Sequence, residues 1–174
     1  MSVRGKRRAR KNRLCLMCID PGIGGTGWAV FHNPDLNGNS APVPVVDSGV
    51  IRGSGASWIE KSAEIAGKFK DVLDENEPTS VVIEWPQTWA GSQTSVAATL
   101  RGDLLKLAHL CGMLYCDIVE HSYAEVSYIT PGAWKGQLPK DVVIRRIQDV
   151  YPGSSFPNHA ADAVGMGLSL QGAL

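Results

Sequence analysis

Two carboxylates stand where apolar, strand-like segments end, and they are the first candidates for chemistry. Asp20 ends the apolar segment 14–20, and Glu84 ends the apolar segment 80–84. In open sheets with crossover helices, ligands bind at the carboxyl ends of the strands. If these two strands are neighbours, Asp20 and Glu84 converge there. Two partly buried carboxylates repel each other unless a cation neutralises them, so the pair indicates a cation site.

A third segment, near the C-terminus, adds two further candidate ligands. The spacing predicts a helix over 158–170 that places His159 and Asp162 on one face of its first turn. With Asp20 and Glu84, they predict a cluster around hard divalent ions, either Mg²⁺ or, given the imidazole, Mn²⁺. Small residues let this helix approach a sheet closely: Ala160, Ala161, Ala163, Gly165 and Gly167.

Each of these four residues also has an ordinary structural explanation. Asp20 could belong to a turn with the Pro-Gly that follows it, and Glu84 could be a strand-end charge in water. His159 could cap the helix, and Asp162 could interact with the helix N-terminus. Their joint occurrence, rather than any one of them, favours the cation site.

The length and composition favour one ordinary globular domain. The chain has 174 residues, of which 44% are apolar and 20% are charged. This mixture excludes a mainly disordered chain, a collagen and a coiled coil. No run of 18 apolar residues is present, so we expect no membrane span. The N-terminus lacks the apolar stretch of a signal peptide, so we expect a cytoplasmic protein.

The formal charge of zero hides an asymmetry along the chain. Residues 1–13 carry seven of the 17 basic residues and no acidic residue, whereas residues 14–174 carry 10 basic and 17 acidic residues. We therefore predict a disordered basic tail over 1–13 that contacts nucleic acid through Arg7, Arg8 and Arg10. The alternative is a solvated tail that aids solubility.

The four cysteines favour free thiols over a zinc site. Cys15 and Cys18 have the spacing of a zinc knuckle, with Cys111 and Cys116 available to complete a set. However, residues three apart in a strand point to opposite faces, so the first pair cannot chelate one metal. The second pair lacks the two-residue spacing usual for zinc. We expect buried, free thiols in a reducing compartment.

The apolar patterns place these candidates in a mixed α/β domain. Apolar runs bounded by turn residues predict strands, and apolar residues at helical spacing predict helices. The expected strands are 14–20, 26–32, 43–51, 80–84 and 114–119. The expected helices are 57–76, 92–111, 141–151 and 158–170.

At these residues the sequence resembles the RuvC family of Holliday junction resolvases, within the ribonuclease H-like superfamily. The resemblance covers residues 18–170 and is carried by short motifs in matching order. They are Ile19-Asp20-Pro21-Gly22 with Thr26-Gly27-Trp28-Ala29, Ile83-Glu84, Thr99-Leu100-Arg101-Gly102, Thr130-Pro131 with Trp134-Lys135 and Lys140-Asp141-Val142, and His159-Ala-Ala-Asp162-Ala163. The short chain, the basic tail and the divergent motifs are compatible with a viral or phage-type member. The resemblance implies association with the nucleoid or, for a viral member, a location in the host cell cytoplasm.

The resemblance implies a fold and a chemistry. The fold is a five-stranded mixed sheet in the order 3-2-1-4-5, flanked by helices, with residues 14–174 forming one ribonuclease H-like nuclease domain. The activity is structure-selective cleavage of Holliday junctions or other branched DNA, with two Mg²⁺ ions per site for which Mn²⁺ can substitute. The implied catalytic and metal-binding residues are Asp20, Glu84, His159 and Asp162, where His159 either binds metal or positions water.

The same resemblance places further residues on the DNA. The lysines would face the phosphates and a tryptophan would stack on an unpaired base at the branch point. The arginines could equally form a solvated helix face, and the tryptophans could equally be packing residues. Relatives carry an aromatic residue three positions after the second acidic site, where this chain has Gln87. The expected DNA-binding residues are Lys135, Lys140, Arg145, Arg146, Trp85 and Trp89.

Paired cuts across a junction need two active sites, so the resemblance also implies a homodimer. The predicted helix over 92–111 could supply a symmetric interface or could pack wholly within its own core. Its apolar residues are Ala97, Ala98, Leu100, Leu104, Leu107 and Ala108. Two other functions stay open, namely cleavage of RNA–DNA hybrids and non-catalytic nucleic-acid binding in which the basic tail supplies the affinity.

Overall fold

The computed structural model describes residues 14–88, 97, 99 and 101–174. The tail predicted over 1–13 and the start of the helix predicted over 92–111 lie outside these residues. So do the following individually predicted residues: Arg7, Arg8, Arg10, Trp89, Ala98 and Leu100.

Five strands form one mixed sheet. They are β1 (Cys15–Asp20), β2 (Thr26–His32), β3 (Val45–Ile51), β4 (Ser80–Glu84) and β5 (Glu125–Ile129). The order across the sheet is β3-β2-β1-β4-β5, which confirms the predicted order. The first three strands form an antiparallel meander, whereas β4 is parallel to β1 and β5 is parallel to β4.

Five helices with defined bounds flank this sheet among the residues that the structure describes. Within the described part of the chain, no helix is both long and apolar enough to cross a membrane. The short α3 follows β5 directly and was absent from the predicted elements. The helices are α1 (Trp58–Asn76), α2 (Asp103–His121), α3 (Pro131–Trp134), α4 (Lys140–Val150) and α5 (Asn158–Leu170).

The fifth strand predicted over 114–119 is wrong. These residues belong to α2, where Leu110, Leu114 and Ile118 recur every four residues and are buried. That period is helical, and a short apolar run by itself does not distinguish a buried strand from a buried helix face. The actual β5 lies at the sheet edge with mostly exposed side chains, so its apolar signal in the sequence is weak.

The sheet separates two apolar layers. On one face, Met17 and Ile19 of β1 pack with residues of α1 and α2, such as Phe69. On the other face, Leu16 and Cys18 pack with residues of α4 and α5. The central strand β1 is therefore covered on both faces and hydrogen-bonded on both edges, and Asp20 is its last residue.

Two glycines let α5 lie directly against the sheet. A Cβ atom on Gly167 would lie 2.1 Å from Cε2 of Phe31, and a Cβ atom on Gly27 would lie 2.1 Å from the carbonyl carbon of His159. Any side chain at Gly27 would therefore push the first turn of α5 away from the end of β1. This close approach is what brings His159 to the strand ends.

Three of the four cysteines are buried, as predicted, but one is not. Cys15, Cys18 and Cys111 are buried, whereas Cys116 is exposed on α2. Burial raises the pKa of the Cys111 thiol to about 12, so this group is a neutral packing residue at pH 7. The prediction of burial fails at Cys116 because the position faces away from the packed side of α2.

Candidate active site

Asp20 and Glu84 lie at adjacent carboxyl ends of two parallel strands. Ile19 of β1 is paired with Ile83 of β4, and a carboxylate follows each of these residues. Burial raises the pKa of Asp20. Burial also raises the pKa of Glu84 to about 7, and the negative charge of Asp20 adds to this shift. The two carboxylates therefore share a site that disfavours negative charge.

His159 contacts Asp20 from the first turn of α5. Its Nδ1 lies 2.7 Å from Oδ2 of Asp20, and this hydrogen bond raises the pKa of the imidazole. Gly22 leaves room for the ring, since a Cβ atom there would lie 3.0 Å from Cε1 of His159. Because Nδ1 is engaged by Asp20, the ring orientation is set and Nε2 is the nitrogen that would meet a substrate or a cation.

Asp162 lies one turn further along α5 and completes the acidic cluster. Burial is the main cause of the raised pKa values of Asp20 and Glu84, and the negative charge of Asp162 raises both values further. Nζ of Lys140 donates to Oδ2 of Asp162 over 2.8 Å, and the Asp162 side chain is 14% exposed. Lys140 is the first residue of α4, where a positive charge opposes the helix dipole, and this ion pair offsets that cost.

The α3 segment supplies a donor to Glu84 and a compensating charge. Nε1 of the buried Trp134 donates to Oε2 of Glu84 over 2.5 Å. Nζ of Lys135 lies 4.6 Å from the centre of the Trp134 ring. The charge of Lys135 acts against burial and lowers the pKa values of Asp20 and Glu84.

The role of Trp134 is one that sequence reasoning missed. In the sequence Trp134 is only one member of a motif, yet in the structure it contacts the carboxylate of Glu84 directly. A buried tryptophan usually finds an acceptor for its indole N–H, so the place of Trp134 in a motif shortly before the helix that carries His159 and Asp162 could have suggested a polar partner. The identity of the acceptor, 50 positions away in sequence, was not readable.

The donor chemistry of the cluster fits a hard divalent cation. Carboxylate oxygens are the ligands that Mg²⁺ prefers, and an imidazole nitrogen also suits Mn²⁺. Among the residues that the structure describes, however, no group of three or more His, Cys, Asp or Glu side chains is already arranged to hold a metal ion. Each carboxylate instead contacts a protein donor, as given above. The four-residue metal site therefore stays a prediction.

The other predicted DNA-binding residues that the structure describes are exposed on elements next to this cluster. Arg145 and Arg146 are exposed on α4, the helix that begins with Lys140. Trp85 directly follows Glu84, is 37% exposed and packs edge-on against Tyr128 with ring centres 5.1 Å apart. The structure thus brings Lys135 and Lys140 into the acidic cluster and leaves the arginines on the neighbouring surface.

The fold has counterparts among solved structures. No protein-family model and no curated protein matches this chain. Fowlpox virus resolvase with its substrate Holliday junction DNA is 16% identical with a TM-score of 0.48 and covers 91% of this chain and 97% of that chain. Thermus thermophilus RuvC is 21% identical with a TM-score of 0.65 and covers 90% of this chain and 92% of that chain. The complex of T. thermophilus RuvC with a Holliday junction substrate is 19% identical with a TM-score of 0.65 and covers 90% and 91%. The predicted ribonuclease H-like fold is confirmed: this chain has the fold of RuvC.

Proposed function

We propose that this protein is a metal-dependent, structure-selective DNA endonuclease that resolves Holliday junctions or other branched DNA. The observation that carries the proposal is the convergence of Asp20, Glu84, Asp162 and His159 at one end of the sheet, with electrostatic coupling between the three carboxylates. The likeness to RuvC, of which one structure contains a Holliday junction substrate, supports the choice of substrate. A protein that only bound a polyanion would gain nothing from converging carboxylates.

The chain's own residues divide the work in this proposal. Asp20, Glu84 and Asp162 would hold Mg²⁺, with two ions per site and Mn²⁺ as a substitute, and these residues would bind through hard oxygen ligands. The bound cations would supply an activated water and neutralise charge at the scissile phosphate. Asp20 holds the ring of His159, so that Nε2 either joins the cation or positions the water.

Positive side chains beside the cluster would receive the phosphate. Lys140 and Lys135 already lie close enough to affect the acidic residues, and both would stabilise charge that develops on the phosphate during hydrolysis. Arg145 and Arg146 extend positive charge along α4 and would contact the DNA backbone. Trp85, exposed next to Glu84, would stack on an unpaired base at the branch point, a contact worth about 1–3 kcal/mol.

A panel of labelled DNA and hybrid substrates tests the proposal. The pure protein is incubated with four-way, Y-shaped and duplex DNA and with an RNA–DNA hybrid, each with Mg²⁺ or with EDTA. We expect paired cuts near the branch of the four-way junction that require Mg²⁺. Cleavage confined to RNA strands would instead indicate a hybrid-specific ribonuclease, and binding without any product would indicate a non-catalytic module.

The basic tail is proposed to contact DNA phosphates, and its removal gives a quantitative expectation. Each phosphate neutralised on duplex DNA contributes about 0.9 to the slope of log affinity against log salt concentration. Deleting residues 1–13, which carry seven basic residues, should therefore flatten the slope by up to roughly 6. Binding is measured by fluorescence anisotropy over a series of NaCl concentrations.

A charge-neutral tail serves as the matched control for the deletion. A variant that retains residues 1–13 but replaces all seven basic side chains by glutamine should show the same flattened slope as the deletion. A slope equal to that of the wild type would mean that the tail does not touch phosphates.

We propose that α2 forms the interface of a homodimer. A mostly exposed stripe runs along the helix at spacings of three and four residues, made of Leu105, Gly112, Tyr115 and Val119 together with the half-buried Ala108. The three large side chains of the stripe are exposed: Leu105 by 77%, Tyr115 by 42% and Val119 by 53%. A Cβ atom on Gly112 would meet nothing within 4 Å. A helix face that exposes apolar side chains and has small residues at its centre suits close packing against a second copy.

A charge at the edge of this stripe should weaken the dimer. Leu105→Glu should raise the dimer dissociation constant by at least about tenfold, equivalent to about 1.4 kcal/mol, because association would desolvate the new carboxylate. Sedimentation equilibrium measures the constant. Leu36→Glu is the control, since Leu36 is also exposed but lies in the loop between β2 and β3. An unchanged constant for Leu105→Glu would mean that dimerisation, if any, uses another face.

A further inference from the structure

The short helix α3 is hydrogen-bonded at both ends to segments that carry or follow residues of the acidic cluster. At its start, the backbone N–H of Gly132 donates to Oε1 of Gln87 over 3.2 Å, and Gln87 follows β4 by three residues. At its end, Oγ of Ser169 on α5 donates to the carbonyl oxygen of Trp134 over 2.8 Å. Hydrogen bonds at its two ends thus connect α3 both to the segment that follows Glu84 and to the helix that carries Asp162.

Trp134 is the residue of α3 that contacts the acidic cluster directly. Its side chain is 4% exposed, and its indole N–H donates to Oε2 of Glu84 over 2.5 Å. The ring packs on α5 at Gly165, where an added Cβ atom would lie 3.0 Å from Cζ3 of the indole. The indole therefore lies close against α5, and its N–H is directed toward one oxygen of Glu84.

We infer that Trp134 is a positioning residue that fixes the carboxylate of Glu84 for cation binding. With Oε2 held by the indole N–H, the side-chain rotamer of Glu84 is set and Oε1 is the oxygen presented to a ligand. Because the same indole rests on α5, it also fixes the strand end that carries Glu84 relative to Asp162. This inference rests on the proposed function in one respect, that Glu84 is a cation ligand.

Lys135 gives an independent reason to expect a positioning role. Nζ of this residue lies 4.6 Å from the centre of the Trp134 ring, at a distance where the face of an indole attracts a cation. The same tryptophan therefore orients both a carboxylate through its N–H and an ammonium group through its ring.

The test removes the N–H and keeps the buried ring. In Trp134→Phe, we expect the affinity of the DNA-free protein for Mn²⁺ to fall by at least about tenfold, since loss of a group that orients a metal ligand typically costs 10–100-fold. Isothermal titration calorimetry with Mn²⁺ alone measures this affinity. In cleavage assays, the Mg²⁺ concentration for half-maximal rate should rise by a similar factor while the rate at saturating Mg²⁺ stays within about threefold.

Trp28→Phe is the matched control, because Trp28 is also a buried tryptophan but its ring packs over Gly49 on the other side of the sheet. The inference is supported if Mn²⁺ affinity falls in Trp134→Phe and not in Trp28→Phe. Equal affinities for Trp134→Phe and wild type would overturn it, as would an equal fall in both variants, which would point to packing alone. Should Trp134→Phe fail to fold, benzothienylalanine at position 134 retains the ring shape without the N–H and gives the same readout.

Glu84→Gln separates this inference from the proposed function. If Glu84→Gln weakens Mn²⁺ binding and Trp134→Phe does not, Glu84 is a ligand and only the positioning role of Trp134 is wrong. If the wild-type protein binds no Mn²⁺ and cleaves no branched substrate, the proposed function is wrong and the role assigned to Trp134 is wrong with it.

Discussion

Asp20→Asn is expected to reduce the cleavage of junction DNA by at least about 100-fold while changing junction binding by less than about threefold. Losing an outer partner of a metal ligand typically costs 10–100-fold, so losing a carboxylate ligand should cost at least the upper end of that range. Asparagine has the shape of aspartate, and its Oδ1 can still accept the hydrogen bond from Nδ1 of His159. The fold and the orientation of the imidazole should therefore persist.

Single-turnover cleavage of a labelled four-way junction and a gel-shift titration in Ca²⁺ measure the two quantities separately. Asp149→Asn is the matched control, because Asp149 is exposed near the end of α4. Its cleavage rate should equal that of the wild type. Wild-type cleavage by Asp20→Asn would remove Asp20 from the mechanism and with it the proposed site.

Glu84→Gln is expected to stabilise the cation-free protein at pH 8. Burial raises the pKa of Glu84 from 4.5 to about 7, so above pH 7 the folded protein holds a carboxylate in a place that disfavours it. Glutamine removes that charge and can still accept the hydrogen bond from Trp134. We expect a gain of roughly 2 kcal/mol in the free energy of unfolding, or about 5 °C in Tm for a domain of this size.

The sign of the pH dependence follows from the direction of this shift. Between the unfolded pKa near 4.5 and the folded pKa of about 7, the folded state binds more protons than the unfolded state. The wild type therefore loses stability relative to Glu84→Gln as the pH rises through this window. The difference in Tm between the two proteins should be close to zero at pH 4.5 and should reach its maximum above pH 7.

Differential scanning calorimetry in EDTA between pH 4.5 and 8 measures this difference. Glu125→Gln is the control, since Glu125 is an exposed glutamate at the start of β5 and its Tm should follow that of the wild type. Added Mg²⁺ should raise the Tm of the wild type more than that of Glu84→Gln. A Tm of Glu84→Gln that stays at or below the wild-type value at pH 8 would contradict the raised pKa of the Glu84 carboxyl.

The sequence was enough to predict which strands and which helix carry the candidate site residues, but not which side chains those residues contact. Asp20 and Glu84 end runs of apolar residues, and His159 and Asp162 open a helix of small residues, so local patterns were enough to place all four. The strand order was implied by the family resemblance. The contacts that hold the carboxylates were not predicted, because Lys140 and Trp134 meet their partners across 22 and 50 positions of sequence.

The error at α2 and β5 has a physical cause. Residues 114–119 are rich in apolar side chains that suit a buried strand as well as a helix face, and Gly112, a residue that disfavours helix, lies between them and the helix predicted over 92–111. The helix continues because Leu110, Leu114 and Ile118 bury the same face. The true strand β5 lies at the edge of the sheet, where it pairs only with β4 and leaves most of its side chains exposed. Its conformation is therefore decided by tertiary context and not by local propensity.

The enclosure of β1 has a consequence for how the protein responds to heat. A strand that is covered on both faces and paired on both edges opens only when the whole domain unfolds. Asp20 is attached to that strand, so local fraying of the edge strand or the surface loops leaves its carboxylate in place. Thermal inactivation of the proposed activity should therefore coincide with global melting instead of preceding it.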